Sequence, residues 1–125
     1  TSFLPSDMDL RKGETDPMLA DAGSYWWFIA YLGQDNPASP LNPLVSPLYG
    51  DLRGFPPVLI QATTPELLFE QGQKFIERAK ASGVDATLQA WDGLFHDWQA
   101  FGLGVLPESQ EAINKIGDWV LRLFA

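Results

Sequence analysis

The segment WDGLFHDWQAF, residues 91–101, contains the only histidine of the chain, His96. Imidazole titrates near neutrality and can accept and return a proton, so a histidine just after a predicted strand is a candidate general base. The alternative is a partly buried imidazole that packs among Phe95, Trp98 and Phe101 in an ordinary loop. A catalytic role would require a nucleophile and an orienting acid within reach of His96.

The composition limits which groups could work with His96. The chain has 125 residues, of which 46% are hydrophobic, which suffices for one compact domain with a buried core. No cysteine is present, so disulfides, thiolate metal sites and thiol nucleophiles are excluded, and a single histidine does not support a histidine metal cluster. We therefore expect chemistry by oxygen nucleophiles, without a metal or other cofactor.

Charge and hydrophobicity indicate the class of partner. The formal net charge of −8 disfavours nucleic acid and anionic membranes, which leaves a small neutral ligand or another protein. The longest apolar run, YWWFIAYL at 25–32, is much shorter than the roughly 20 residues of a membrane span. The first residues also lack the pattern of a signal peptide. We predict a soluble, cytoplasmic protein that binds neither nucleic acid nor membrane.

Two further groups of side chains are weaker candidates for a site. Aromatic residues could line an acyl pocket, but we interpret them as core of a helix: Tyr25, Trp26, Trp27, Phe28 and Tyr31. Acidic residues near the start of the chain lack the order of a calcium loop, and we interpret them as a solvated segment: Asp7, Asp9, Glu14 and Asp16.

Two differently built halves are predicted within a single domain of residues 1–125. Residues 1–57 are rich in proline around one helix, from about Asp21 to Leu32. Residues 58–125 follow a βαβα pattern in which Gly83 closes the first helix. Its elements, in chain order, are a strand in PPVLIQATT, a helix from about Pro65 to Ser82, a strand in DATLQAW and a helix from about Glu108 to Phe124. Two strands joined by a helical crossover are parallel, so the fold class is α/β.

The sequence patterns of the two strands predict different positions in the sheet. VLI is apolar on both faces, as in a strand with neighbours on both sides, whereas ATLQAW alternates in polarity, as an edge strand does. A strand is therefore expected to be missing beside VLI, which leaves unpaired N–H and C=O groups.

Several segments resemble one known family. SPLYGDLRGFPPVLIQ, KASGVDATLQAWDGLFHDWQAF and PESQEAINKIGDWV are similar to the C-terminal part of alpha/beta-hydrolase esterases and lipases of the hormone-sensitive-lipase-like branch. TDPMLADAG and YLGQDNPASPLNPLVSPLYGDL resemble the connecting region of the same branch. The resemblance implies a truncated alpha/beta-hydrolase fold and the hydrolysis of small acyl esters. It also implies that His96 is the catalytic histidine, because Gly93-Leu94-Phe95-His96 matches the family's Gly-x-x-His motif.

The nucleophile that the resemblance implies is absent from the chain. The family's serine lies in a Gly-x-Ser-x-Gly turn, and its oxyanion donors lie in an HGGG-type loop. Neither motif occurs in the sequence. We expect both upstream of Thr1, so that the chain is inactive alone.

The position of the catalytic acid has two interpretations. The family has an Asp two residues before a Leu, and alignment places this Asp at position 65, where the chain has proline. Glu66 could replace the Asp only if the turn shifted. Alternatively, Thr64 caps the helix, Pro65 takes its first position and Glu66 interacts with the positive end of the helix dipole. The sequence favours the cap, and Glu66 stays a candidate acid beside His96.

Two functions therefore remain open. The chain is either the C-terminal portion of a carboxylic ester hydrolase, supplying His96 and Glu66, or a non-catalytic relic that binds a ligand or a protein. The missing Asp favours the relic, and the intact Gly93–His96 motif favours the hydrolase. The edge of VLI is expected to pair either with a complementing N-terminal hydrolase segment or with a second copy. In the homodimer, Trp26, Trp27 and Trp98 would add surface contacts.

Overall fold

The computed structural model describes residues 16, 18, 21–33, 38–102 and 104–125. Its helices and strands follow the order α1, β1, α2, β2, α3, with short 3₁₀ segments before β1 and before α3. The bounds are Asp21–Leu32 for α1, Val58–Thr63 for β1, Phe69–Ala81 for α2, Ala86–Trp91 for β2 and Pro107–Leu123 for α3. The 3₁₀ segments are Pro47–Tyr49 and Trp98–Phe101.

Strands β1 and β2 pair in parallel, with Val58 opposite Ala86 and Thr63 opposite Trp91. The amide of Thr64 extends the ladder by donating to the carbonyl of Trp91 at 2.9 Å. These observations confirm the predicted α/β class and the βαβα order. Within the described residues the sheet has these two strands, so the other edge of β1 has no strand beside it there.

Helix α2 packs against the sheet and forms the core with the strands. The buried residues of this core are Leu52, Ile76, Ala79, Val84 and Ala86. Gly72 lets the helix approach β1, because a Cβ at this position would lie 3.4 Å from Cγ2 of Ile60. The predicted stop at Gly83 is confirmed by its φ of +83° and by the bond from Val84 N–H to the Ala79 carbonyl.

The predicted start of α2 is wrong. The helix begins at Phe69, and residues 64–68 form turns before it. Thr64 does not cap the helix, because its hydroxyl is hydrogen-bonded to a carboxylate oxygen of Asp92. The local sequence suits a cap, but tertiary partners engage the side chains that would have made it.

The prediction of an aromatic core in α1 is wrong for the aromatic side chains that the structure describes there. Trp26, Trp27 and Tyr31 are exposed, at 63%, 68% and 70%, whereas Leu32 is buried. The apolar composition of α1 therefore does not by itself determine which of its side chains are buried. The side chains of Tyr25 and Phe28 lie outside the described residues.

Trp98 was predicted as a surface contact and is instead fully buried, at 1% exposure. Its ring packs on Trp91, with the ring centroids 5.1 Å apart. No helix among the described residues is long and apolar enough to span a bilayer.

Candidate active site

The loop that carries His96 follows β2 and returns over the end of β1. Gly93 has a φ of +70°, a conformation that lets the chain turn sharply after the strand. The amide of Leu94 then donates to Oγ1 of Thr63, the last residue of β1, at 3.1 Å. The carboxyl ends of parallel strands lie at the same edge of a sheet. The bond from Leu94 to Thr63 at this edge holds the His96 loop beside the turn after β1.

Glu66 lies in the turn after β1 and contacts the imidazole of His96. Its Oε2 is 2.9 Å from Nδ1, and its Oε1 accepts the amide of Thr63 at 3.3 Å. The Glu66 residue is 5% exposed, whereas the His96 side chain is 26% exposed. An ionised carboxylate only accepts hydrogen bonds, so this contact favours the neutral tautomer that carries its hydrogen on Nδ1 and keeps a lone pair on Nε2.

The structure therefore corrects the interpretation of residues 64–66. Glu66, rather than position 65, meets His96, because helix α2 starts later than predicted and leaves a turn in which Glu66 reaches the loop after β2. Sequence reasoning named both members of the pair but favoured a helix-dipole role for Glu66. The helix-start pattern of residues 64–66 depends on neighbours in the sequence, so it could not indicate a contact between residues 30 positions apart.

Asp16 also meets the His96 loop, which the sequence did not indicate. Both of its carboxylate oxygens accept the amide of His96, at 3.1 and 3.3 Å, and Oδ1 accepts the amide of Met18 at 2.9 Å. Asp16 is 2% exposed, so its assignment to a solvated acidic segment is wrong. The other acidic residues of that segment, Asp7, Asp9 and Glu14, lie outside the described residues.

His96 and Glu66 both line a cavity of about 500 Å³. Its apolar lining includes Leu48 of the 3₁₀ segment before β1, Ile60 of β1, Leu68 of the turn before α2 and Phe75 of α2. An Asp97 carboxylate oxygen lies 3.5 Å from Nε2, and the Asp97 side chain is 71% exposed. The site thus combines an imidazole, a buried carboxylate and a mostly apolar cavity.

Comparison with known proteins identifies the family to which the chain belongs. Residues 3–100 match the family model described as the alpha/beta hydrolase fold, so the chain belongs to the alpha/beta-hydrolase family. The resemblance and the fold class predicted from the sequence are thereby confirmed.

Esterases are among the similar proteins. An acetyl-hydrolase of Streptomyces hygroscopicus is 38% identical over 81 residues, which are 65% of this chain and 27% of that protein. An esterase structure from the bacterial hormone-sensitive lipase family has a TM-score of 0.77 and 39% identity, covering 90% of this chain and 39% of the other. The structure of EstE5 soaked by p-nitrophenyl butyrate has a TM-score of 0.72 and 34% identity, covering 87% and 35%. The chain thus spans between about a quarter and two fifths of the length of these proteins.

Proposed function

We propose that this chain contributes the catalytic acid and the catalytic histidine, Glu66 and His96, to the active site of a carboxylic ester hydrolase. The observation that carries the proposal is the 2.9 Å contact between Glu66 Oε2 and His96 Nδ1, in a pair of residues that line the cavity. Membership in a hydrolase family that includes esterases supports it. The relic alternative was favoured by the absence of Asp at position 65, and the contact of Glu66 with His96 argues against it.

In the proposed reaction, Nε2 of His96 takes the proton of a serine hydroxyl as its oxygen attacks the ester carbonyl. Glu66 holds the imidazole in the required tautomer and stabilises the imidazolium that forms. When the ester C–O bond breaks, the imidazolium returns its proton to the leaving alcohol. Water then attacks the acyl-serine and gives a proton to Nε2, which passes it back to the serine oxygen as the acid leaves.

The serine and the oxyanion donors come, in this proposal, from an N-terminal hydrolase segment of the same polypeptide or of a second one. The given sequence contains neither a Gly-x-Ser-x-Gly turn nor an HGGG-type loop. Strand β1, which has no strand beside its other edge among the described residues, lines the cavity together with Glu66 and His96. A strand added at this edge would bury the apolar lining and bring a serine towards Nε2.

We propose short acyl esters as the substrates. An acetyl-hydrolase is among the similar proteins, and EstE5 was soaked by p-nitrophenyl butyrate. The cavity lining of Ile60, Leu68 and Phe75 suits an apolar group rather than a charged one.

The test uses an EstE5 chimera, in which this 125-residue chain replaces the part of EstE5 that it matches. The chimera is expected to hydrolyse p-nitrophenyl butyrate with saturation, whereas the 125-residue chain alone gives no saturable turnover, since it has no nucleophile turn or oxyanion donors. Circular dichroism and light scattering establish that each protein is folded and whether the chain alone dimerises. A folded but inactive chimera would contradict the proposal, as would turnover by the chain alone that His96→Ala abolishes.

A further inference from the structure

We infer that Asp16 is a positioning residue for His96, an inference that rests on the proposed function. Its carboxylate holds the backbone amide of His96 through both oxygens, at 3.1 and 3.3 Å. The two residues are 80 positions apart, so this bond joins the segment before α1 to the loop after β2. Asp16 touches the backbone of His96 and not its ring, and therefore acts through His96.

The burial of Asp16 indicates that its carboxylate depends on protein donors. A carboxylate that is 2% exposed has lost most of its hydration, which is unfavourable unless donors replace the water. The amides of His96 and Met18 are such donors. Hydrogen bonds to a charged acceptor in a buried site are stronger than those between neutral groups, so the bond restrains the His96 backbone.

The position of the restraint gives it a function in the site. The loop is tied at Leu94 by Thr63 and at His96 by Asp16, and the imidazole itself is held by Glu66. The next residue, Asp97, has a φ of +57°, which is unfavourable for a residue with a Cβ and must be maintained by its surroundings. Without the bond from Asp16, the backbone could relax and carry the imidazole away from the serine.

The expected effect is a loss of turnover rather than of substrate binding. In the EstE5 chimera, Asp16→Asn should lower kcat by about 10- to 100-fold, because a displacement of the catalytic group near 1 Å costs about that much, while KM changes little. Asp118→Asn, at an exposed position in α3, is the matched control and should leave both constants unchanged. Asp16→Ala should lower kcat further.

A second measurement on the 125-residue chain separates positioning from general destabilisation. Hydrogen exchange followed by NMR should show the His96 amide exchanging about 10-fold faster in Asp16→Asn, while core amides such as that of Ile76 keep their rates. Unchanged exchange at His96 with unchanged kcat would overturn the inference, as would exchange that accelerates equally across the chain. An inactive wild-type chimera in which Asp16→Asn still accelerates exchange at His96 would refute the proposed function and leave the restraint in place.

Discussion

Replacing His96 with alanine in the EstE5 chimera is expected to lower kcat for p-nitrophenyl butyrate by about 10⁴-fold or more. The imidazole is the group that would take the serine proton and return it to the leaving alcohol, and alanine can do neither. KM should change little, since the contact with the substrate is made by the cavity lining and by the chimera's EstE5 part. Initial rates under saturation give the comparison.

The His96→Gln variant is a useful second control in this experiment. Glutamine keeps a polar side chain of similar reach but cannot transfer a proton at neutral pH, so it should be as inactive as the alanine variant. A His96→Ala chimera that is folded and keeps more than about a tenth of the wild-type kcat would contradict a role as general base, for which a far larger loss is expected.

Changing Glu66 to glutamine is expected to lower kcat of the chimera by about 10⁴-fold, the effect of the corresponding change in serine-histidine-acid triads. The amide has nearly the shape of the carboxylate but no charge, and it can present a donor to Nδ1 that stabilises the wrong tautomer. The matched control is Glu77→Gln in α2, an exposed position, which should keep the wild-type rate.

The outcome at Glu66 separates the two sequence interpretations of this turn. If Glu66 only interacted with the positive end of the helix dipole, Glu66→Gln would change the free energy of unfolding slightly and kcat hardly at all. Equal rates for Glu66→Gln and Glu77→Gln would therefore show that Glu66 is not the catalytic acid, and would refute the proposed pair of Glu66 and His96.

The order and pairing of the elements could be predicted because local patterns determine them. Three patterns depend on residues close in sequence: the apolar VLI segment, the alternation in ATLQAW and the helix stop at Gly83. The catalytic role expected for His96 and the search for an acid after VLIQA came instead from the resemblance to the hydrolase family.

The polar contacts of the site could not be predicted in the same way. Thr64, Pro65 and Glu66 form a good helix-start sequence, yet the Thr64 hydroxyl is bonded to Asp92 and the Glu66 carboxylate to His96. Asp16 similarly resembles a solvated acid by its neighbours and is buried by a contact 80 positions away. The hydrogen-bond partners of these side chains depend on which groups lie close to them in the folded chain. Local sequence patterns do not indicate those tertiary contacts.

The same limit explains the aromatic residues. Trp26 and Trp27 are as apolar as Trp98, but they are exposed and Trp98 is buried. Trp98 follows the His96 loop, where β2 and the 3₁₀ segment Trp98–Phe101 bring it against Trp91. Composition indicates that an aromatic side chain favours burial, whereas the topology decides which one finds a partner.

The most direct test of the pairing of Glu66 with His96 is the protonation of the two ring nitrogens, measured by ¹⁵N NMR on the 125-residue chain. His96 is the only histidine, so its signals need no separate assignment. In the neutral imidazole we predict that Nδ1 carries the hydrogen, because its partner at 2.9 Å is a carboxylate that accepts it, and that Nε2 is free to take a proton. A neutral His96 with its hydrogen mainly on Nε2, in the wild-type chain, would contradict the pair and with it the proposed active site.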